Sequence, residues 1–297
     1  MSAETHEEVT ARANRRAGGS LESSALRLSG GLLAVVVAGA ALAPLLAPYD
    51  PDALIGPSFA PPSPAHLLGT NATGQDLFSQ LVWGARSSLL VAAGAATLTV
   101  CVGAVVGVVA ATVGGAVDVV LSRLLDVFLA LPQLPLLILI AAMVGSGLPT
   151  VVAVIGLLGW PMTARIVRSE TLSLRNRGFV AAAKGFGGGL PHLLRRHLLP
   201  ALGPILATGF INVAGIAVLL EAGLAFLGLG DPARASWGSM LNDALGQQGL
   251  YFTNQWIWWV LPPAGALTAM VLGLTFLGVG LEPRLNPAGR RTETSRQ

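Results

Sequence analysis

Charge is scarce in this chain: 11% of its 297 residues are Asp, Glu, Lys or Arg, against 53% hydrophobic residues and a mean hydropathy of +0.68. A soluble domain of this length needs more charge to cover its surface, so a single water-soluble globule is excluded. Cysteine is down to Cys101, which excludes an internal disulfide and a thiolate metal cluster. Cys101 lies in an apolar run and reads as a small buried residue. Lysine is down to Lys184, and Gly185 follows it where a phosphate-binding loop would need Ser or Thr. No zinc-hydrolase or nucleophile-elbow motif occurs either. The sequence therefore offers no catalytic residue, no metal ligand set and no cofactor site, and the chain does not read as an enzyme.

What it has in abundance is apolar length. A helix needs about 20 mostly apolar residues to cross a hydrocarbon core of about 30 Å. Six runs qualify as candidates, over residues 30–47, 88–113, 119–144, 148–164, 201–220 and 256–281. The third is broken by Pro132 and Pro135, which membrane helices tolerate where neighbours or cavity water satisfy the freed carbonyls. The expected fold is an all-α polytopic membrane protein with six transmembrane helices. A run of basic flank, apolar stretch and small residues at the start also fits a cleaved signal peptide. Pro44 just after Ala43 and five further runs favour a retained first span.

The basic residues then sort by side. With the N-terminus inside, only Arg86 and Arg234 fall outside, and sixteen of the 18 Lys and Arg residues fall inside. That matches the positive-inside rule and places both termini in the cytoplasm. A pI near 9.7 is thus a topological signal, and no basic stripe interleaved with aromatics supports nucleic-acid binding. Residues 1–24, polar and of mixed charge, read as a disordered cytoplasmic tail. Residues 25–87 would hold the first helix and an extracytoplasmic segment, 88–281 the transmembrane core, and 282–297 a second cytoplasmic tail. In the outer segment, Leu77, Phe78, Leu81 and Val82 have the spacing of a short amphipathic helix. Trp256, Trp258 and Trp259 mark an outer membrane interface.

Inside the spans, Gly103, Gly107 and Ala111 are spaced by four, as are Gly265, Ala269 and Gly273. Small residues at that spacing let helix backbones meet. Arg123 and Asp126 have helical i, i+3 spacing for an ion pair. Glu221, near the outer end of the fifth run, is an intramembrane acid and so a candidate functional residue. The structural alternative, which the sequence favours, is an interfacial acid that caps a helix or pairs with a neighbour.

One connection stands apart. Residues 179–200 read FVAAAKGFGGGLPHLLRRHLLP and fall on the cytoplasmic side. A helix from about Arg168 to Phe186 would place Phe179, Ala183 and Phe186 on one face. Gly187, Gly188 and Gly189 would end it, Pro191 would start a second, and Pro200 would end that and turn the chain into the fifth span. An exposed apolar face of that kind needs a partner.

These residues resemble the loop signature of permease subunits of binding-protein-dependent ABC importers: E-A-A, three residues, G, then twelve residues to a proline preceded by leucine. Ala182 and Ala183 match the alanines, Gly187 the glycine, and Leu199 and Pro200 the end; Ala181 stands where the acid is usual. The wider chain, from about residue 30 to 287, resembles the second permease subunit of the dipeptide, oligopeptide and nickel branch. LGTNATGQDLFSQLVWGARSSLLV, GGAVDVVLSRLLDVFLALPQLPLLI, LLEAGLAFLGLGDPARASWGSML and FLGVGLEPRLNP carry that likeness in order, with Gln75 where a basic residue is common. The resemblance implies a type I importer permease fold in a bacterial cell membrane. It implies uptake of di- or oligopeptides, nickel or a similar small solute. It implies a second permease as heterodimer partner, two cytoplasmic P-loop ATPases, an extracytoplasmic binding protein and surrounding lipid. A coupling loop at about 168–200, with Phe179, Ala182, Ala183, Gly187, Leu194, Leu199 and Pro200, would dock on an ATPase. The competing class, an ion-coupled transporter, predicts inverted repeats and midplane polar groups, and no internal repeat is evident.

Overall fold

The computed structural model describes residues 26–145, 147–178 and 189–285. Phe179, Ala182, Ala183 and Gly187, the expected tail 1–24 and the Phe179–Ala183–Phe186 face lie outside them, as does the expected second tail from residue 286 on; residues 282–285, expected to open that tail, are instead the end of the last helix. The regular structure described is helical, with one isolated bridge between Thr70 and Asp76.

The first helix, α1 (Leu26–Ala41), is a shorter apolar helix, extended past a break at Leu42 by the turn Ala43–Leu46. The second, α2 (Leu77–Val113), has 37 residues, about 55 Å at 1.5 Å per residue. Residues 77–87 are therefore not a separate amphipathic helix, and the expected boundary at 87/88 falls within one rod. The reason is local. Asp76 caps the helix by accepting from Ser79 N at 2.8 Å, and nothing after it stops the helix. Gly84 within it lies under Trp237, whose ring a Cβ there would meet at 3.0 Å.

Gly114 and Gly115 turn the chain at positive φ into α3 (Gly115–Ala130). It is followed by α4 (Gln133–Val144), bent 85° from α3. The break expected at the prolines falls at Pro132, while Pro135 lies in the first turn of α4. Leu131 is extended (ψ 139°), as a residue before proline is pushed to be, and Pro132 caps α4. α5 (Leu148–Arg175) follows. It runs past the expected end of the fourth span but stops at Asn176, so the helix does not continue to Phe186.

After Gly189 the chain coils again over Leu190–Leu193, widens into a π turn over Leu194–Leu198, and enters α6 (Leu199–Phe226). Pro200 therefore does not end a helix. It sits in the first turn of α6, where its missing N–H costs little, and the wide turn before it takes the i, i−5 bond from Leu199 N to Leu194 O. The short α7 (Trp237–Leu245) and turns at Leu250–Phe252 and Gln255–Trp259 lead to α8 (Leu261–Leu285).

Among the described residues four segments are long and apolar enough to span a membrane, five with the bent pair counted as one. All six expected runs are helical, with α1 short and the third run split between α3 and α4. The most extensive packing is α2 on α5. A Cβ at Gly103 would meet Thr163 Cβ at 2.7 Å, and one at Gly107 would meet the Ala164 carbonyl at 2.6 Å. The second small-residue series behaves differently: Gly273 meets Leu33 of α1, and Gly265 meets nothing within 4 Å. Two further expectations are corrected. Cys101 is exposed, on an outward face of α2. Trp259 is buried, its ring 6.0 Å from Phe59, because the turn that carries it folds under α7 rather than toward lipid.

Candidate translocation cavity and coupling surface

Three sites lie along the molecule's length. The end carrying residues 176–200 is here the loop end, and the end carrying α7 the far end.

At the far end, Glu221 of α6 is 5% exposed and accepts from Ser88 Oγ of α2 at 3.2 Å, with Ser236 as a second hydrogen-bonding neighbour. Ser236 is also the cap of α7, with a reciprocal box to Ser239. Around it the connection from α6 to α7 stitches the helices together. Asp231 Oδ2 accepts from Leu148 N at 3.0 Å and so caps α5, whose own preceding residue, Gly147, has no side chain to do it. Trp237 Nε1 donates to the Leu81 carbonyl at 2.9 Å, and a Cβ at Gly238 would strike the Ala222 carbonyl at 2.5 Å. Glu221 thus pairs with neighbours across three elements, the structural alternative raised for it.

At mid-depth, a cavity of about 260 Å³ opens between α2, α5, α6 and the start of α4. Its walls are mostly aliphatic, interrupted by Thr99, Gln133, Thr163 and Asn212. Thr99 Oγ1 donates to the Gly156 carbonyl at 3.1 Å. The Gln133 and Asn212 amides are exposed and hydrogen-bond to no other described residue. Gln133 is there because the proline break brings the first residue of α4 to the crossing point. An amide exposed at this depth faces water or a partner rather than hydrocarbon. Neither residue stood out in the sequence, although a lone amide in an apolar run is the signal that could have marked Asn212.

At the loop end, α3 is clasped to α5. Arg168 Nε and Nη2 donate to Asp118 at 2.5 and 2.7 Å, and Arg165 donates to Asp126 at 2.6 Å. Arg123 is only 3.8 Å from Asp126, so the expected i, i+3 pair is secondary to the one between helices. Arg175 donates to the Ala111 carbonyl and so caps the end of α2. Beside this clasp, Leu198 and Leu202 are buried against Val108, Val167 and Leu174, with Leu194 packed on them. Leu199 and Pro200 are exposed. Of the expected docking residues that are described, Leu194 faces inward and Leu199 and Pro200 outward.

The family described as "Binding-protein-dependent transport system inner membrane component" matches residues 103–290. A Brucella suis biovar 1 (strain 1330) protein named as a peptide permease protein is 41% identical over 246 residues, 82% of this chain and 80% of that one. The oligopeptide transport system permease protein OppC of Bacillus subtilis (strain 168) is 34% identical over 263 residues, 88% and 84% of the two chains. The dipeptide transport system permease protein DppC of the same organism is 36% identical over 233 residues, 78% and 71%.

Proposed function

The chain belongs to the family of binding-protein-dependent transport system inner membrane components, and from that membership we propose that it passes di- and oligopeptides across a bacterial cell membrane. It is a multi-pass permease subunit of an ABC importer, working with ATPase and binding-protein subunits. The relatives' names, peptide permease, OppC and DppC, support the peptide class. The observation that carries the path is the mid-depth cavity, whose two amides, Gln133 and Asn212, have no partner within the described chain. Such a half-lined cavity becomes a channel when a second, different permease covers it.

The orientation follows from the charges: the loop end, rich in arginine, is cytoplasmic with both termini, and the α7 end faces the binding protein. Two ATPases then sit below the permease pair, one of them against residues 179–200. Leu199 and Pro200 are exposed toward it, while Leu194 and Leu198 tie the same stretch to α2, α5 and α6. A push on the loop is thereby passed to the helices that line the cavity. Coupling of this kind requires that the ATPase contact differ between two states of the pore. The π turn is a suitable place for it, since such turns recur where helices must adjust.

The test is uptake of a labelled dipeptide into proteoliposomes holding permease pair, ATPases and binding protein. ATP-dependent uptake that falls at least tenfold in Leu199→Asp, with ATP hydrolysis persisting, supports both reading and coupling. Peptide that neither enters nor stimulates hydrolysis sinks the substrate class; uptake unchanged in Leu199→Asp sinks the docking role.

A further inference from the structure

Arg86 of α2 and Arg234 of the α6–α7 connection, the two basic residues far from the loop end, line a single pocket of about 370 Å³. Asp50 and Asp52, from the segment after α1, line it too, along with Trp83 and Leu90. We propose that this pocket holds the headgroup of an amine-bearing phospholipid, its phosphate between Arg86 and Arg234 and its ammonium against Asp50 and Asp52.

The pocket presents both signs of charge without closing on itself. Among the described residues no ion pair joins its acids to its arginines. Arg86 lies 4.9 Å from the centre of the Trp83 ring, and Arg234 leans toward Asp231 at 3.7 Å. Asp50 Oδ1 accepts only from the Asp52 amide, at 2.9 Å. A ligand carrying one anionic and one cationic group complements this arrangement, whereas a plain anion leaves the carboxylates facing it. Burial, with Asp50 beside it, holds the Asp52 carboxyl above its usual range, and a bound ammonium removes that cost. The acidic arm is also fixed in place. Gln80 Nε2 donates to the Pro51 carbonyl at 3.3 Å and Gln75 Nε2 to that of Asp52 at 3.2 Å.

Depth selects a lipid over a soluble zwitterion. The apolar run of α2 begins at about residue 88, so Trp83 and Arg86 stand one turn above it, in the headgroup layer these side chains favour. Leu90, 51% exposed, floors the pocket, and Cys101 and Val105 continue its helical face as an exposed stripe. That stripe is where an acyl chain would lie. The cavity of mid-depth is on the other side of α2, at Thr99, so a solute in this pocket would not be on the path. The inference needs neither the peptide class nor the membrane orientation.

The experiment uses the assembled transporter extracted in mild detergent, with co-purified lipid quantified against the membrane of origin. It is then delipidated and returned to nanodiscs of phosphatidylglycerol with phosphatidylethanolamine or with phosphatidylcholine. The expected result is phosphatidylethanolamine enriched roughly fivefold over bulk, the scale of one surface charge contact. A thermal midpoint should rise with phosphatidylethanolamine but not with phosphatidylcholine, whose quaternary nitrogen has no N–H to donate. Arg86→Gln and Asp52→Asn should each remove the enrichment. Bulk-like lipid ratios would overturn the proposal. So would equal enrichment of phosphatidylglycerol, since the acids would then play no part. So would a dipeptide raising the midpoint where lipid does not, if Arg86→Gln and Asp52→Asn abolish that rise, which would make the pocket a solute site. If a variant fails to assemble, the headgroup comparison on the unmodified complex still decides.

Discussion

Gly107 shows what a single hydrogen atom does in a membrane helix pair. A Cβ there would sit 2.6 Å from the Ala164 carbonyl and 2.9 Å from Arg168 N, both backbone atoms of α5 that no rotamer change can move. Gly107→Val should therefore separate α2 from α5 and cost about 2 kcal/mol or more. Gly265→Val, with nothing within 4 Å, should be near neutral. Thermal midpoints of the two purified complexes check this, and equal shifts would refute it. The sequence shows the same four-residue spacing at both sites, and spacing alone does not say which side of a helix meets another. The partner decides, and it lies about 60 residues away for Gly107 and on α1 for Gly273. Glu221 was legible as an intramembrane acid, but its two hydroxyl neighbours come from Ser88 and Ser236, distant in sequence. Glu221→Ala strands both, and a loss of roughly 1–3 kcal/mol is expected, with Glu221→Gln retaining most of the stability. Chemical unfolding of the two variants separates them.

Between elements, the loop-end clasp holds α3 onto α5 by two ion pairs of unequal setting. Arg168 and Asp118 have side chains 29% and 21% exposed and meet through two hydrogen bonds. Arg165 and Asp126 are about half exposed and meet through one. Water screens the second pair, so a double-mutant cycle should return less than about 0.5 kcal/mol for it and about 1 to 2 kcal/mol for the first. Equal coupling energies would show that exposure is not what ranks them. Element boundaries were the least legible feature, for reasons that are local. Residues 77–87 join α2 because Asp76 caps them and Trp237 covers Gly84, neither visible as a break or its absence in composition. A proline at 132 in an apolar run marks an interruption in the sequence, yet its result, an 85° turn that brings Gln133 to the cavity, depends on Leu131 being driven extended. Pro200 has the sequence signature of a stop and is instead tolerated by the π turn before it.

At the scale of the whole molecule, no more than 44% of the most apolar stretch of any of the four long spans is buried within the chain. Most of each span therefore faces lipid or another subunit, and the two are told apart by polarity. The stripe of α2 that includes Leu90 and Val105 is apolar and exposed, as a lipid face should be. The face of α6 that carries Asn212 is not, since an exposed amide in hydrocarbon is costly unless it meets water or a polar partner. On the proposed reading, the second permease would cover the Asn212 side, with the path between the two. Asn212→Cys, in a chain whose own exposed thiol is removed by Cys101→Ala, turns that geometry into a measurement. In the assembled transporter a small, water-soluble thiol reagent should label Cys at 212, at a rate that changes several-fold when ATP is bound but not hydrolysed. Val105→Cys, on the lipid stripe, should stay unreactive in both states. Equal labelling at the two positions would place Asn212 outside the path, and labelling at 212 that ignores nucleotide would leave the cavity uncoupled from the ATPases.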